Sequence, residues 1–176
     1  MNKLIAVILT SFCLSACSST LENRDPTGEL FPSVSGQSLD EQIVNLPGDL
    51  RGKPAVLLVA YKQRTQFDVD RWLMGFLQAG TDIRLLELPT IKGLVPSLAS
   101  GWIDDGMRSG IPKEDWSVVV TLYGGAATPI VELTGNENGQ NTRVIVIDGD
   151  GRIIWFDDTG YAARKVLAIG QLIANQ

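Results

Sequence analysis

The hydrophobic pattern of the chain alternates between continuous apolar runs and stretches with helical spacing. Residues Pro54–Tyr61 form an apolar run of strand length, which is typical of a strand buried on both faces. Thr65 follows as a suitable helix N-cap, and apolar residues then recur near helical spacing until Gly80. This segment therefore predicts a strand followed by a helix.

The rest of the chain repeats this alternation. Further strands are predicted at Asp82–Leu88, Ser117–Tyr123, Arg143–Ile147 and Arg152–Phe156, and further helices at Leu94–Ser109, Thr128–Leu133 and Tyr161–Ala174. Asp148-Gly149-Asp150-Gly151 is a hairpin turn between the last two strands. The order β-α-β-α-β-(α)-β-β-α predicts an α/β fold with a mixed sheet flanked by helices, because helical crossovers make early strands parallel and the hairpin adds an antiparallel pair.

The first residues read as a sorting signal. Lys3 is followed by the apolar stretch Leu4–Leu14, which is shorter than the ~20 residues of a membrane span and fits the apolar part of a signal peptide. Leu14-Ser15-Ala16-Cys17 resembles the bacterial lipobox. The resemblance implies that residues 1–16 are a lipoprotein signal peptide and that Cys17 is acylated; the alternative is an ordinary secretory signal. Ser18 after the cysteine favours the periplasmic face of the outer membrane over the inner membrane.

Residues 17–37 are rich in Ser, Pro, Gly and charge and have no sustained period. They predict a flexible tether between the acylated cysteine and one domain at residues 38–176. We therefore expect an envelope protein that is attached to the membrane through its lipid anchor.

Composition excludes several kinds of chemistry. The 176 residues have a net charge of −5, contain no histidine, and include two cysteines, Cys13 and Cys17. Ser-His-Asp and Cys-His catalysis, His-ligated metals and a Cys-x-x-Cys pair are therefore ruled out. We expect no thiol oxidoreductase or peroxidase activity and no cofactor or metal. The absence of basic runs argues against a nucleic-acid partner, and the oligomeric state is left open.

Two motifs resemble thioredoxin-like and peroxiredoxin-like domains. They are Leu50–Leu58 (LRGKPAVLL), which is similar to the family's entry strand, and Val144–Ile153 (VIVIDGDGRI), which is similar to its hairpin. The resemblance implies a thioredoxin-like domain whose redox loop would follow the first strand. That place holds Tyr61–Phe67 (YKQRTQF), without cysteine, and the family's cis-proline falls at about Thr142. We expect a trans peptide there, since a non-proline cis bond costs ~3 kcal/mol.

A second, more diffuse resemblance is to the assembly factor of the membrane sector of mitochondrial ATP synthase. It is carried mainly by Glu87–Pro89, Trp102–Arg108, Ile111–Trp116 and Ile153–Trp155. That family is thioredoxin-like without a functional cysteine pair and acts as a membrane-associated chaperone for a hydrophobic subunit. The resemblance implies an assembly or chaperone role, although the same client is not expected in a bacterial envelope.

Four candidate binding residues, Tyr61, Lys62, Arg64 and Thr65, occupy the former redox loop at a helix N-terminus. Free backbone N–H groups and the helix dipole favour anions there, and two cations would reinforce this preference. The alternative is a solvated polar loop with a capping threonine.

Thr142 and Arg143 are expected to face that loop across the end of the sheet, with Arg143 binding a carboxylate or pairing internally with Asp68 or Asp70. Trp102, next to two aspartates and between two glycines, is the candidate for an exposed interface anchor; its alternative is a core position.

These residues favour a non-redox thioredoxin-like lipoprotein that binds a protein or peptide client of the envelope. The client would be captured as an extended segment against the strand edge at Asn141–Ile147. The alternative function is a non-thiol enzyme, or a binder of a small carboxylate ligand, that uses Tyr61, Lys62, Arg64 and Arg143.

Overall fold

A seven-stranded mixed sheet organises the described part of the chain. The structure is a computed structural model that describes residues 20–80, 82–93 and 97–176. The strands are β1 (Val34–Ser38), β2 (Ile43–Leu46), β3 (Ala55–Ala60), β4 (Arg84–Ile91), β5 (Val120–Tyr123), β6 (Arg143–Ile147) and β7 (Ile153–Asp157). The α-helices are α1 (Gln66–Ala79), α2 (Ser97–Gly110), α3 (Thr128–Thr134) and α4 (Ala163–Ala174). None of the helices among these residues has the length and apolar character needed to cross a membrane.

The strand order is β2-β1-β5-β4-β3-β6-β7. Strands β3, β4 and β5 run parallel to one another, whereas β6 is antiparallel to β3 and forms the predicted hairpin with β7. The predicted α/β class and mixed sheet are therefore confirmed.

Strand β3 lies inside the sheet between β4 and β6, and all six of its residues are buried. Its side chains alternate between two core layers. Leu57 and Val59 belong to the layer that includes Ile130 of α3, and Val56 and Leu58 to the layer that includes α1 and α4. This double burial explains the continuous apolar run in the sequence.

Several predicted boundaries differ from the observed ones. Strand β4 continues through Pro89 to Ile91, because an extended backbone accommodates proline and Thr90 and Ile91 pair with β5. Residues Lys113–Val118 form a 3₁₀ helix, so β5 is shorter than predicted. The expected start of the second helix, residues 94–96, lies outside the described residues.

The flexible tether is wrong for residues 20–37, which pack against the domain. Leu21 N–H donates to Asn136 Oδ1 (2.7 Å), and Gly28 N–H donates to the Ile153 carbonyl (2.8 Å). Phe31 is buried and β1 begins at Val34. Backbone and side-chain hydrogen bonds and a few scattered buried residues hold this segment, and they produce no sustained apolar period. The predicted signal peptide and Cys17 lie outside the described residues.

Candidate functional site

The former redox loop is closed by its own side chains. It follows β3 as predicted, with Lys62 and Arg64 exposed and a 3₁₀ turn at Gln63–Thr65 leading into α1. Tyr61 points inward: its hydroxyl donates to the Ile130 carbonyl (3.0 Å) and lies 2.7 Å from Thr134 Oγ1. Burial raises the pKa of Tyr61 to about 12, against smaller opposing effects of Thr134 and Arg143. This phenol therefore stays protonated and engaged with α3.

Thr65 is buried and does not cap α1. Its hydroxyl donates to the Gly139 carbonyl (2.7 Å), and no side-chain capping bond forms. The 3₁₀ turn explains the difference, because it gives Thr65 helical dihedrals where an N-cap residue is usually extended. Thr65 therefore attaches the loop to the segment before β6.

Asp68, which was expected to pair with Arg143, instead has a structural role. Its carboxylate is buried and accepts the N–H groups of Thr142 (3.0 Å) and Tyr161 (3.1 Å). It thus joins α1 to the starts of β6 and α4. Thr142 is itself buried, at the family's cis-proline position. Among the described residues the cis peptide bond joins Leu46 to Pro47, so the bond before Thr142 is trans.

Arg143 is fully buried, which corrects its expected role in binding. Its guanidinium donates to the carbonyls of Asn141 (3.1 Å) and Glu137 and to Asn23 Oδ1 (2.9 Å), and lies 5.0 Å from the centre of the Tyr61 ring. Burial lowers its pKa. The alternative that Arg143 pairs within the protein is correct. Its partners are backbone carbonyl oxygens and the Asn23 amide oxygen, so the expected ion pair with Asp68 or Asp70 is wrong.

These contacts close the expected groove between the loop and β6. The expected capture of a client against the edge of β6 is also wrong, because this strand pairs with β3 on one side and with β7 on the other. Thr65, Thr142 and Arg143 are buried, so of the predicted cluster Lys62 and Arg64 alone are exposed in full. The carbonyls of the connection between α3 and β6 fill the space expected for a ligand. The surface of three cations expected from the topology therefore does not form, because Arg143 is buried.

A cavity of about 770 Å³ lies between α1, β4 and α2, and the former redox loop contributes Tyr61 and Lys62 to its wall. Its size is within the ~300–1,000 Å³ range of ligand sites in proteins. Most of its wall comes from one face of each of three elements. Strand β4 contributes every second residue, and helices α1 and α2 contribute positions about one turn apart. The lining residues include Gln66, Asp70, Leu73, Glu87, Pro89, Ile91, Trp102, Ile103, Gly106, Met107, Ile111 and Pro112.

Helix α2 covers this cavity and is held by polar contacts. Tyr123 donates to Asp104 (2.7 Å) and to the Ser100 carbonyl (3.3 Å), while Arg108 Nε donates to the Leu39 carbonyl (2.8 Å). Burial raises the pKa of Tyr123, and its bond to Asp104 adds to the effect. These anchors leave Ile103 and Met107 facing the cavity.

Glu87 lies in the cavity wall and was not predicted as a site residue. Its side chain is 4% exposed, and within the described residues its Oε1 has no hydrogen-bond partner. Burial raises its pKa to about 7, Gln66 lowers it, and Asp70 raises it further. One signal existed in the sequence: Glu87 is a single acidic residue within the apolar strand segment Leu85–Leu88.

Trp102, the candidate for an exposed anchor, is 84% exposed at the edge of the cavity, so its alternative, a core position, is wrong. Helix α1 also exposes Phe67 (72%) and Leu77 (74%), but neither residue belongs to the cavity wall. Of these three exposed apolar side chains, Trp102 alone lines the cavity.

The described residues contain no group of three or more acidic, cysteine or histidine side chains that could hold a metal ion. The chain as a whole has no histidine, and Cys13 and Cys17 lie outside the described residues. The side chains that line the cavity are mainly apolar with a few polar groups, which suits binding by apolar contact and hydrogen bonding.

No family model matches the chain, and no curated protein matches it in sequence. Its fold is similar to that of several solved structures. The pneumococcal exposed lipoprotein thioredoxin Etrx1 from Streptococcus pneumoniae is 13% identical, with a TM-score of 0.54 over 80% of this chain and 99% of that one. A SCO1/SenC family lipoprotein from Bacillus anthracis is 14% identical, with a TM-score of 0.57 over 87% and 99%. Yeast Sco1 is 12% identical, with a TM-score of 0.58 over 84% and 96%.

These similarities show the class of fold: the chain is a thioredoxin-like α/β domain, as predicted. At such identities the similarity concerns the fold alone. The resemblance to the ATP synthase assembly factor gains no support from these comparisons.

Proposed function

We propose that the protein is a non-redox thioredoxin-like lipoprotein of the bacterial envelope that acts by binding a protein or peptide client. The non-redox part is supported by the loop after β3, where Tyr61–Phe67 contain no cysteine. It is also supported by Thr65, Asp68 and Arg143, whose side chains bind the backbone of neighbouring segments. The former redox loop therefore connects α1 to the segments before β6 and α4, which is a structural role.

The client site we propose is the cavity between α1 and α2. The observation that carries this proposal is Trp102, which stays 84% exposed at the edge of a largely apolar cavity. Large exposed aromatic side chains are expensive in water and are enriched at binding hot spots. With Leu73 in the wall on the opposite helix, Trp102 would border a site for an apolar segment.

An assembly or chaperone role for this module is supported by where the diffuse resemblance falls. Glu87–Pro89, Trp102–Arg108 and Ile111–Trp116 are distant in sequence, yet each contributes residues to the cavity wall. A client would therefore contact the segments that resemble the assembly factor family.

The lipid anchor is proposed at Cys17, with the outer membrane's periplasmic face as the location. The lipobox Leu14–Cys17 supports the anchor, and two similar structures are described as lipoproteins. The alternative function, binding a small carboxylate at Tyr61, Lys62, Arg64 and Arg143, loses its basis because Tyr61 and Arg143 are engaged internally.

Site-specific photo-crosslinking in cells tests the proposal. The full chain would carry p-benzoylphenylalanine at position 102, and in a matched variant at position 43, where Ile43 is 63% exposed on β2, outside the cavity wall. We expect a discrete crosslinked envelope protein from position 102 and none from position 43.

A second variant connects that adduct to the cavity. Gly106 lies in the wall, and a Cβ there would meet no atom within 4 Å, so Gly106→Phe fills open space. We expect this substitution to abolish the adduct at position 102. Absence of a discrete adduct, equal labelling from position 43, or an adduct that survives Gly106→Phe would contradict the proposal.

A further inference from the structure

Glu87 leaves one hydrogen-bond acceptor free in the cavity wall. The carboxyl group is 4% exposed, and Oε1 has no partner within the described residues. An unpaired buried polar atom costs about 1–3 kcal/mol. Glu87 belongs to the same face of β4 as Pro89 and Ile91, which also line the cavity. Because Oε1 is itself buried, a donor that enters the cavity removes this cost when the carboxyl group rotates toward it.

The charges around the cavity favour a cation as that donor. The lining residues include two carboxyl groups, Glu87 and Asp70, and one basic group, Lys62. Lys62 forms no ion pair with any carboxylate in the described ranges, so it does not neutralise Glu87. The whole chain is also acidic, with a net charge of −5. An anionic occupant would be repelled here, whereas a cationic one would be attracted.

We propose that the client inserts a basic side chain, lysine or arginine, whose nitrogen donates a hydrogen bond to Glu87 Oε1. Its alkyl stem would lie against Leu73, Ile91 and Ile103, since long basic side chains cover apolar surface with their methylene groups. The occupant is thus an amphipathic basic peptide segment with apolar neighbours that contact Trp102. This inference rests on the proposed function and adds the chemistry of the client.

Binding should also respond to pH. Burial raises the pKa of Glu87 to about 7, so the carboxyl is partly protonated near neutral pH. The other charged groups in the wall are Asp70 on α1 and Lys62 after β3; the lining residues of α2, together with Ile111 and Pro112, contribute none. A cationic side chain prefers the ionised carboxylate, so affinity rises as pH increases through about 7.

Selection from a library of random heptapeptides displayed on phage tests the proposal with the purified full chain. At about pH 8, where the carboxylate is ionised, we expect selected peptides to combine lysine or arginine with apolar residues. For a selected peptide, replacing the basic residue with norleucine should weaken binding about tenfold, as for one charged hydrogen bond. Glu87→Gln should remove this difference and also the pH dependence of affinity.

The matched control is Glu114→Gln, which removes the same charge from an exposed position outside the cavity wall. It should retain the basic preference. Glu87→Met provides a second uncharged variant, and thermal unfolding confirms that each variant is folded. A basic preference that survives in both Glu87 variants, or that is missing from the wild type, would overturn the inference. Apolar peptides that Gly106→Phe displaces would still leave the proposed function intact, whereas no cavity-dependent peptide at all would contradict both.

Discussion

At the scale of single residues, the contrast between Arg143 and Glu87 separates structure from function. Both side chains are buried. The Arg143 guanidinium is shared among backbone carbonyls and the Asn23 amide oxygen, so its charge stabilises the connection before β6. Glu87 keeps one buried acceptor oxygen without a partner in the described structure. Arg143 Nε also lacks a partner, so Glu87 differs from Arg143 in its position in the wall of a cavity, where a ligand can supply the missing bond.

The buried carboxyl of Glu87 predicts a pH-dependent stability. Burial raises its pKa from 4.5 to about 7, so between these values the folded protein retains a proton that the unfolded chain releases. Its contribution to stability is therefore complete below about pH 4.5 and is lost as the pH rises to about 7. Glu87→Gln, which mimics the protonated form, should gain stability relative to wild type by up to about 3 kcal/mol over this interval.

Thermal unfolding of both proteins across that pH range measures the effect. Glu114→Gln, which removes a charge from an exposed position, is the control for net charge. A difference in Tm between Glu87→Gln and wild type that stays constant with pH would show that the carboxyl is not buried as described.

At the scale of elements, the strands and helices that could be predicted from the sequence are those with a clear pattern of apolar residues. Strands β3 and β6 are buried on both faces and α1 is amphipathic, so their positions follow from their apolar residues. Strand β1 was missed because its inward positions are Val34, Gly36 and Ser38, of which one is strongly apolar. Gly36 is small for a reason: a Cβ there would lie 2.7 Å from Val120 Cγ1. Packing against a neighbouring strand favoured small residues that hide the pattern.

The site was less predictable than the fold for a related reason. The cavity depends on the distance between α1 and α2, which is set by contacts such as those of Tyr123 and Arg108 and leaves no local signal. The expected groove at Tyr61–Thr65 and Thr142 does not form because several of these side chains point into the protein, which the sequence does not reveal. The exposure of Trp102 could be suspected from the sequence because its neighbours are glycines and aspartates.

Gly75 provides a test of the packing between α1 and α4. A Cβ at this position would lie 2.8 Å from Tyr161 Cε2 and 3.0 Å from Val166 Cγ2. We expect Gly75→Ala to reduce the free energy of unfolding by about 1–3 kcal/mol, since overpacking displaces well-packed side chains.

The matched control is Gly101→Ala on α2, where a Cβ meets nothing within 4 Å. It should increase the free energy of unfolding by about 0.5–1 kcal/mol through helix propensity. Urea unfolding of both variants measures these changes. If Gly75→Ala were as stable as Gly101→Ala, the close approach of the two helices would be incorrect.

At the scale of the whole molecule, the packed N-terminal segment changes the expected distance from the membrane. A tether from Cys17 to residue 37 would reach ~66–70 Å. Leu21 is already hydrogen-bonded to Asn136, so the chain from Cys17 to Leu21 spans at most about 14 Å. An acyl group on Cys17 would therefore hold the domain close to the lipid surface, with the edge that contains Asn136 nearest to it. A client captured by such a domain would be met at the membrane surface.

The anchor itself is tested by the two cysteines. If the lipobox directs acylation of Cys17, Cys17→Ser should leave the precursor unprocessed or release the protein from the membrane fraction, because several acyl chains supply the stable attachment. Cys13→Ser is the matched control: it removes a thiol four residues earlier, within the predicted signal peptide, and should be processed and retained like the wild type. Membrane fractionation with metabolic labelling by palmitate compares the three proteins. Normal maturation, labelling and retention of Cys17→Ser would show that attachment, if any, depends on another part of the chain.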